Sequence, residues 1–171
     1  RAVDLTDGTV ATVQLPEEGL FVNRVTLAAS TGVVVYGNSI GGSVVLADFS
    51  EGTARTVGGS EEGYSQIGNR KGYGFYVAVD GSATVVVPLA DPAAAWEVPG
   101  VVLDVDGADT LVREYIDRTD RVSHYTGTEL QGTTAEFDQP ILGGALTADG
   151  ATLIDTGGGV IALDTKAGTH S

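Results

Sequence analysis

Three carboxylates that could bind a cation lie between residues 104 and 109. The segment Asp104-Val105-Asp106-Gly107-Ala108-Asp109 alternates acidic residues with a glycine turn. Ca²⁺ takes roughly 6–8 oxygen ligands, and alternating carboxylates around a glycine can supply several of them. Ala108 stands where the next ligand of a calcium loop is expected. The segment therefore predicts one of two structures: a calcium site at Asp104, Asp106 and Asp109, or an acidic hairpin turn without a metal.

A second candidate site combines tyrosines with two cations in an otherwise acidic chain. The stretch GYSQIGNRKGYGFY contains the candidate ligand-binding residues Tyr64, Asn69, Arg70, Lys71 and Tyr73. Aromatic rings beside cations can bind a carboxylate, a sugar or a loop of a partner protein. The alternative is a solvated loop between two strands in which Tyr76 simply packs, because most charges on loops are only hydrated.

Two further patterns are expected to be structural, so no catalytic residue is predicted. Gly37-Asn38-Ser39-Ile40-Gly41 matches the G-x-S-x-G pattern of a nucleophilic serine. That serine sits on a strand-to-helix turn, whereas strand-like sequence flanks Ser39 on both sides, which predicts a hairpin. The alternating charges between Arg113 and Arg121 predict a solvated hairpin tip. His124 follows them and is expected to be a structural hydrogen-bond donor.

Composition excludes several classes of protein. The chain has 171 residues, 9 Lys+Arg against 23 Asp+Glu, a net charge of −14 and no cysteine. Disulfides, thiolate metal sites and cysteine nucleophiles are therefore excluded, and two histidines are too few for a His-rich metal site. The charge opposes binding to a phosphate backbone, so nucleic acid is not an expected partner. No apolar run approaches the roughly 20 residues that span a bilayer.

The elements that must position these residues are strands. Val, Leu, Ala and Ile predominate with Thr between them, and short apolar runs alternate with Asp-Gly and Gly-Gly turns. The best helix candidate is the short segment Asp91–Trp96. We predict an all-β chain with strands near Ala2–Leu5, Val10–Leu15, Arg24–Ala28, Val33–Tyr36, Ser43–Ala47, Phe75–Val79, Thr84–Pro88, Val101–Val105, Leu111–Tyr115, Val122–Tyr125, Ala151–Ile154 and Val160–Leu163.

One phrase recurs along the chain. AVDLTDGT at Ala2–Thr9 returns as LADFSEGT at Leu46–Thr53 and as ALDTKAGT at Ala162–Thr169, with weaker copies at Pro88–Ala95 and His124–Thr128. The copies fit a period of about 40 residues, which indicates a repeat architecture. The approximate repeats are 16–57, 58–99, 100–139 and 140–171, the last completed by 1–15.

These units resemble the blades of β-propellers, and the ALDTKAGT ending is similar to PQQ-like (quinoprotein-like) and WD40-like repeats. In those families the phrase ends the third strand of a blade, and its Asp and Gly shape the turn into the fourth. The resemblance implies about four blades, either half of a seven- or eight-bladed propeller or a small or assembled ring. In a closed ring, Thr9–Leu15 would supply the outer strand of the last blade. No quinone or other cofactor is predicted, apart from the calcium alternative above.

The expected function is a non-catalytic scaffold or binding module for a protein or extracellular ligand, secreted or otherwise outside the cytoplasm. Function in such a fold lies in loops rather than strands. Two alternatives remain open. One is a segment of a propeller hydrolase that acts on glycans through Asp104, Asp106 or Asp138. The other is a structural protein whose end blades pair, as a homo-oligomer or with the remainder of a longer propeller.

Overall fold

The computed structural model describes residues 2–3, 8–15, 21–28, 31–38, 41–61, 63–133, 137, 139–147, 152–164 and 169–170. The chain forms two compact units, one of Arg1–Asp80 with Val85–Trp96 and one of Gly81–Thr84 with Glu97–Ser171. The strands are β1 (Ala2–Val3), β2 (Val10–Ala11), β3 (Phe21–Ala28), β4 (Thr31–Asn38), β5 (Gly41–Asp48), β6 (Thr53–Ser60), β7 (Tyr64–Arg70), β8 (Tyr73–Ala78), β9 (Ala83–Pro88), β10 (Trp96–Pro99), β11 (Val101–Asp106), β12 (Asp109–Ile116), β13 (Thr119–Thr126), β14 (Glu129–Thr133), β15 (Ile141–Leu146), β16 (Thr152–Thr156), β17 (Gly159–Asp164) and β18 (Thr169–His170).

The fold is all-β, as predicted. Sixteen of the described strands form four antiparallel sheets of four strands each, and the strands of each sheet follow one another in chain order. We call them sheet I (β3–β6), sheet II (β7–β10), sheet III (β11–β14) and sheet IV (β15–β18). The helix candidate Asp91–Trp96 forms only a 3-10 turn at Pro92–Ala94, because strand β10 begins at Trp96. Within the described ranges, no helix has the length and apolar character needed to cross a membrane.

The expectation that Thr9–Leu15 supplies the outer strand of the last repeat stays a prediction. Val10 pairs with Val3 and Ala11 with Ala2, so β2 forms a two-stranded hairpin with β1. The fourth strand of sheet IV is β18, which pairs with the end of β17. Each pairing joins segments that are close in sequence, and such short loops close at a low entropic cost.

In the four-stranded sheets, the copies of the repeated phrase follow the third strand. Asp48 ends β5, Gly52 has a φ of 69°, and β6 begins at the next residue. Asp164 likewise ends β17, the third strand of sheet IV, and Gly127 occupies the turn between β13 and β14 with a φ of 59°. A positive φ suits glycine, which explains its place in the phrase.

Each four-stranded sheet also contains a β-bulge on its first strand. One extra residue lies on the first strand, opposite the second strand, at Asn23, Ile67, Leu103 and Leu142. These positions are about 40 residues apart, the period of the sequence repeat. The four sheets therefore share an irregularity as well as a strand order.

Each unit has a hydrophobic cluster of its own. In the second unit, Leu111 and Val122 of sheet III pack against Ile141 and Ile154 of sheet IV, with Leu103, Phe137, Leu146 and Ile161 around them. In the first unit, Val45 and Ala47 are covered by Val13, Leu15, Phe49 and Ala54.

Candidate functional site

The aromatic–basic segment is a hairpin of two strands rather than one long loop, and Tyr76 is buried in it, as the structural alternative predicts. Strands β7 and β8 pair from Tyr64↔Ala78 to Arg70↔Tyr73. Lys71 and Gly72 form the turn with φ values of 50° and 82°, the positive values of a type I′ turn, which matches the twist of paired strands. The Lys-Gly dipeptide did not suggest this turn because Asn-Gly and Asp-Gly are its usual signals.

The hairpin brings only part of the predicted set together. Arg70 and Lys71 are exposed at its tip, and Asn69 precedes them in β7. Tyr73 packs edge-to-face on Trp96, with ring centroids 6.1 Å apart. Tyr64 is buried at the other end of the hairpin, about 20 Å from the tip at about 3.3 Å per residue. The tip therefore presents two cations, while Tyr64 serves the core.

The acidic segment is a hairpin turn between β11 and β12. Asp106 and Asp109 face each other across Gly107-Ala108, and Gly107 has a φ of 61°. Asp104 is only 1% exposed, and its Oδ2 accepts a hydrogen bond of 2.8 Å from the backbone N–H of Leu146. In the part of the chain that the structure describes, no three His, Asp or Glu side chains come close enough to hold a metal ion. The calcium site stays a prediction.

Asp109 binds two neighbours on β13. Its Oδ1 accepts a hydrogen bond of 2.6 Å from the Thr126 hydroxyl and lies 3.2 Å from Nε2 of the buried His124. A catalytic triad needs an imidazole between the carboxylate and the hydroxyl. Here the carboxylate lies between the other two groups, so the hydroxyl proton has no imidazole to receive it. His124 thus acts as a structural donor in this cluster.

Tyr125 and Glu114 form a second pair on the opposite face of sheet III. The Tyr125 hydroxyl donates to Oε1 of Glu114 at 2.9 Å. Burial raises the pKa of Tyr125 well above its ordinary value, and the hydrogen bond and charge of Glu114 raise it further. The phenol is therefore held in its neutral, donating form.

Arg113 and Asp120 bind the backbone carbonyl and N–H groups of Ile141. Arg113 Nη1 donates to the carbonyl oxygen of Ile141 at 3.0 Å, and Asp120 Oδ2 accepts from the Ile141 N–H at 3.0 Å. The Asp104–Leu146 hydrogen bond holds the other end of the same strand, β15. The hairpin tip predicted here exists at Asp117-Arg118. Its inner charges, which sequence reasoning assigned to solvent, instead fasten sheet III to sheet IV.

Sequence reasoning also missed a cleft in the first unit. It has a volume of about 230 Å³ and is lined by Leu46, Asp48, Thr53, Ala54, Arg55 and Ala93. Arg55 donates through Nη2 to the carbonyl oxygen of Ala93 in the 3-10 turn. Nothing in the local sequence signals this cleft, because Ala93 lies 38 residues from Arg55.

Asp48 lies at the same cleft, and groups of the following turn donate hydrogen bonds to its carboxylate. Its Oδ1 accepts from Ser50 Oγ at 2.6 Å, from Ser50 N at 2.8 Å and from Glu51 N at 3.1 Å. The Ser50 hydroxyl is the main cause that lowers the pKa of Asp48, and the two backbone N–H groups add to it. The carboxylate is therefore held in its charged form beside Arg55.

Two predicted positions cannot be placed, since Ser39 and Asp138 lie outside the described residues. The elements around Ser39 are β4 and β5, which pair as far as Asn38↔Gly41. A nucleophile elbow requires a helix after the serine, so the following strand supports the hairpin prediction.

No known protein family matches the chain. No curated protein matches it either.

Proposed function

We propose that the chain is a non-catalytic β-propeller-type scaffold in which each four-stranded sheet is one blade of the PQQ-like or WD40-like kind. It binds a protein or an extracellular ligand through its turns, outside the cytoplasm. The observation that carries this proposal is the recurrence of the bulge at Asn23, Ile67, Leu103 and Leu142 in four consecutive meanders. A repeated blade explains both the strand order and this repeated irregularity.

The connection between sheets III and IV supports a scaffold. Arg113 and Asp120 hold Ile141, Asp104 holds Leu146, and the cluster of Leu111 and Ile154 lies between these polar contacts. Such contacts use charged side chains to orient backbone, which fixes sheet against sheet. Their carboxylates are then committed to structure rather than available to a substrate.

The binding surface that we favour is the tip of the β7–β8 hairpin. Arg70 and Lys71 are exposed there, in a chain whose net charge is −14. Two adjacent cations on a rigid type I′ turn suit carboxylates on an acidic peptide or glycan. The loops of a scaffold are where such recognition takes place.

An array of acidic glycans and peptides tests this proposal. We expect the wild-type chain to retain specific acidic probes, and Arg70→Gln to lose them. Arg118→Gln is the matched control, because it removes the same charge from another exposed turn. Equal loss in both variants, or hydrolysis of the glycans by the wild type, would contradict the proposal; hydrolysis would favour the glycan-hydrolase alternative.

Exposed apolar residues on sheet IV favour a second candidate, an oligomerising structural protein. Leu142 is 67% and Val160 68% exposed. Leu142 is the bulge residue equivalent to Leu103, which in sheet III packs into the cluster shared with sheet IV. A second copy covering this face would make the mass in solution depend on concentration, and Leu142→Asp would abolish that dependence. A constant monomer mass would reject the candidate.

A further inference from the structure

The cleft beside strands β5 and β6 combines an apolar floor with two opposite charges. Leu46 is buried beneath it, Ala54 and Ala93 form its walls, and Asp48 and Arg55 line it. In the β5–β6 pairing, Asp48 lies opposite Thr53, and Leu46 lies opposite Arg55. Asp48 and Arg55 are therefore diagonal neighbours on one face of the sheet, with Cα atoms about 7–8 Å apart. They form no ion pair with each other among the described residues.

Arg55 is oriented by the chain itself. Its Nη2 donates to the Ala93 carbonyl, which holds the side chain across the cleft. A guanidinium has five N–H donors in a planar fork, so one such bond leaves donors for a carboxylate. Because the side chain is already ordered, a ligand loses less affinity to the entropy of fixing it.

Asp48 is oriented in the same way from the other side. Its Oδ1 accepts three hydrogen bonds from Ser50 and Glu51. In the described part of the chain, none of the assigned bonds uses Oδ2. A carboxylate fixed through one oxygen can accept from an ammonium group through the other.

The size of the cleft limits the ligand. Its volume of about 230 Å³ is below the roughly 300–1,000 Å³ of sites for drug-sized molecules. It corresponds to the liquid volume of about eight waters at about 30 Å³ each. A molecule the size of one amino acid fits this space.

Charge decides between the ligand classes of that size. Asp48 lines the cleft together with Arg55, so its negative charge disfavours a free anion there, although Arg55 is suited to a carboxylate. A ligand that also carries a cation avoids this repulsion and matches Asp48. We propose that the cleft binds a small zwitterion of the α-amino-acid class, with its carboxylate on Arg55, its ammonium on Asp48 and its apolar group on Leu46.

Titration of the intact chain with three related probes tests this site. Valine carries both charges, isovalerate only the carboxylate, and isobutylamine only the ammonium. We expect valine to shift the methyl NMR signals of Leu46 and Ala93 saturably, and each half-ligand to bind at least about tenfold more weakly. Absence of a saturable shift with valine, or equally tight binding of isovalerate, would overturn the proposal.

Variants of Arg55 and Asp48 test whether each of these side chains contacts the bound valine. Arg55→Gln and Asp48→Asn should each weaken valine binding by about tenfold or more, and the Asn side chain keeps an oxygen for the Ser50 and Glu51 donors. Arg118→Gln and Asp117→Asn remove the same charges from an exposed turn and should leave valine binding unchanged. If the control variants weaken valine binding equally, the effect comes from the net charge of the chain, and the proposed site is rejected. Arg70 and Lys71, at the tip of the β7–β8 hairpin, do not line the cleft. A failure of valine to bind the cleft would therefore leave the scaffold proposal unaffected.

Discussion

The carboxylate of Asp104, in the first strand of sheet III, accepts a hydrogen bond of 2.8 Å from the backbone N–H of Leu146, in the first strand of sheet IV. The two residues are 42 positions apart, about one repeat. An almost fully buried carboxylate is costly unless hydrogen bonds compensate it. This contact therefore ties the stability of one sheet to the placement of the next.

Replacing Asp104 should destabilise the second unit. Asp104→Ala leaves the Leu146 N–H without its acceptor and should lower the free energy of unfolding by about 1–3 kcal/mol. Urea denaturation followed by circular dichroism measures this change. Asp106→Ala removes the same charge from an exposed position of the same strand and should change stability by less than about 0.5 kcal/mol. Equal effects of both variants would show that the Leu146 contact contributes nothing.

A side chain at Gly144 would crowd the terminal methyl groups of three core residues, which would have to shift to admit it. A Cβ there would lie 2.8 Å from Leu111 Cδ2 and 3.1 Å from both Ile154 Cδ1 and Leu103 Cδ1. Gly144→Ala should cost about 1–3 kcal/mol, the usual effect of overpacking. Gly143→Ala is the matched control, because a Cβ at Gly143 has nothing within 4 Å. Thermal melts of the two variants give the comparison, and an unchanged melting temperature for Gly144→Ala would contradict the packing described.

Tyr125 should make the protein sensitive to alkali. Its pKa is raised in the folded chain, so the stability from its neutral phenol is complete below the ordinary tyrosine value of about 10 and declines as pH rises above it. Urea midpoints between about pH 8 and pH 11 should fall more steeply for the wild type than for Tyr125→Phe. Tyr115→Phe, at an exposed ring, should keep the wild-type slope. The same slope in all three proteins would refute the link to Tyr125.

Ser50 should control the ionisation of Asp48. Its hydroxyl is the main cause of the lowered pKa, so Ser50→Ala should raise the pKa of Asp48 toward its ordinary value. A lowered carboxyl pKa contributes stability above the ordinary value and loses it as pH falls through the folded value. The acid-side contribution of Asp48 should therefore shrink in Ser50→Ala. NMR titration of the Asp48 carboxyl measures this shift, and Ser50→Thr should restore the lowered pKa. An unchanged pKa in Ser50→Ala would contradict the prediction.

The inner strands could be predicted from sequence because burial leaves a pattern. The prediction Val101–Val105 lies within β11, and Val122–Tyr125 within β13, where alternating apolar residues are bounded by turn signals. The outer strands β6 and β14 were missed. Their side chains are largely exposed, so TARTVGGS and ELQGT carry no apolar alternation. Strands β6 and β14 form through backbone pairing with the neighbouring strand, and the pattern of side chains gives no sign of that pairing.

The charged contacts were harder to predict than the strands. Arg113 and Asp120 stand in a run of alternating charges, which has the same appearance whether it faces water or a neighbouring sheet. Only the register of β12 and β13 places them on the face that meets Ile141. The cleft at Asp48 and Arg55 depends likewise on a partner, Ala93, that is distant in sequence.

The shared bulge bears on the direction of the strands. An extra residue at Asn23, Ile67, Leu103 and Leu142 lies on the first strand of a four-stranded sheet in each case. A bulge bends the strand that carries it and increases its local twist. The residue at the bulge differs, from Asn to Leu, so the four sheets share a backbone geometry at this strand rather than a side chain.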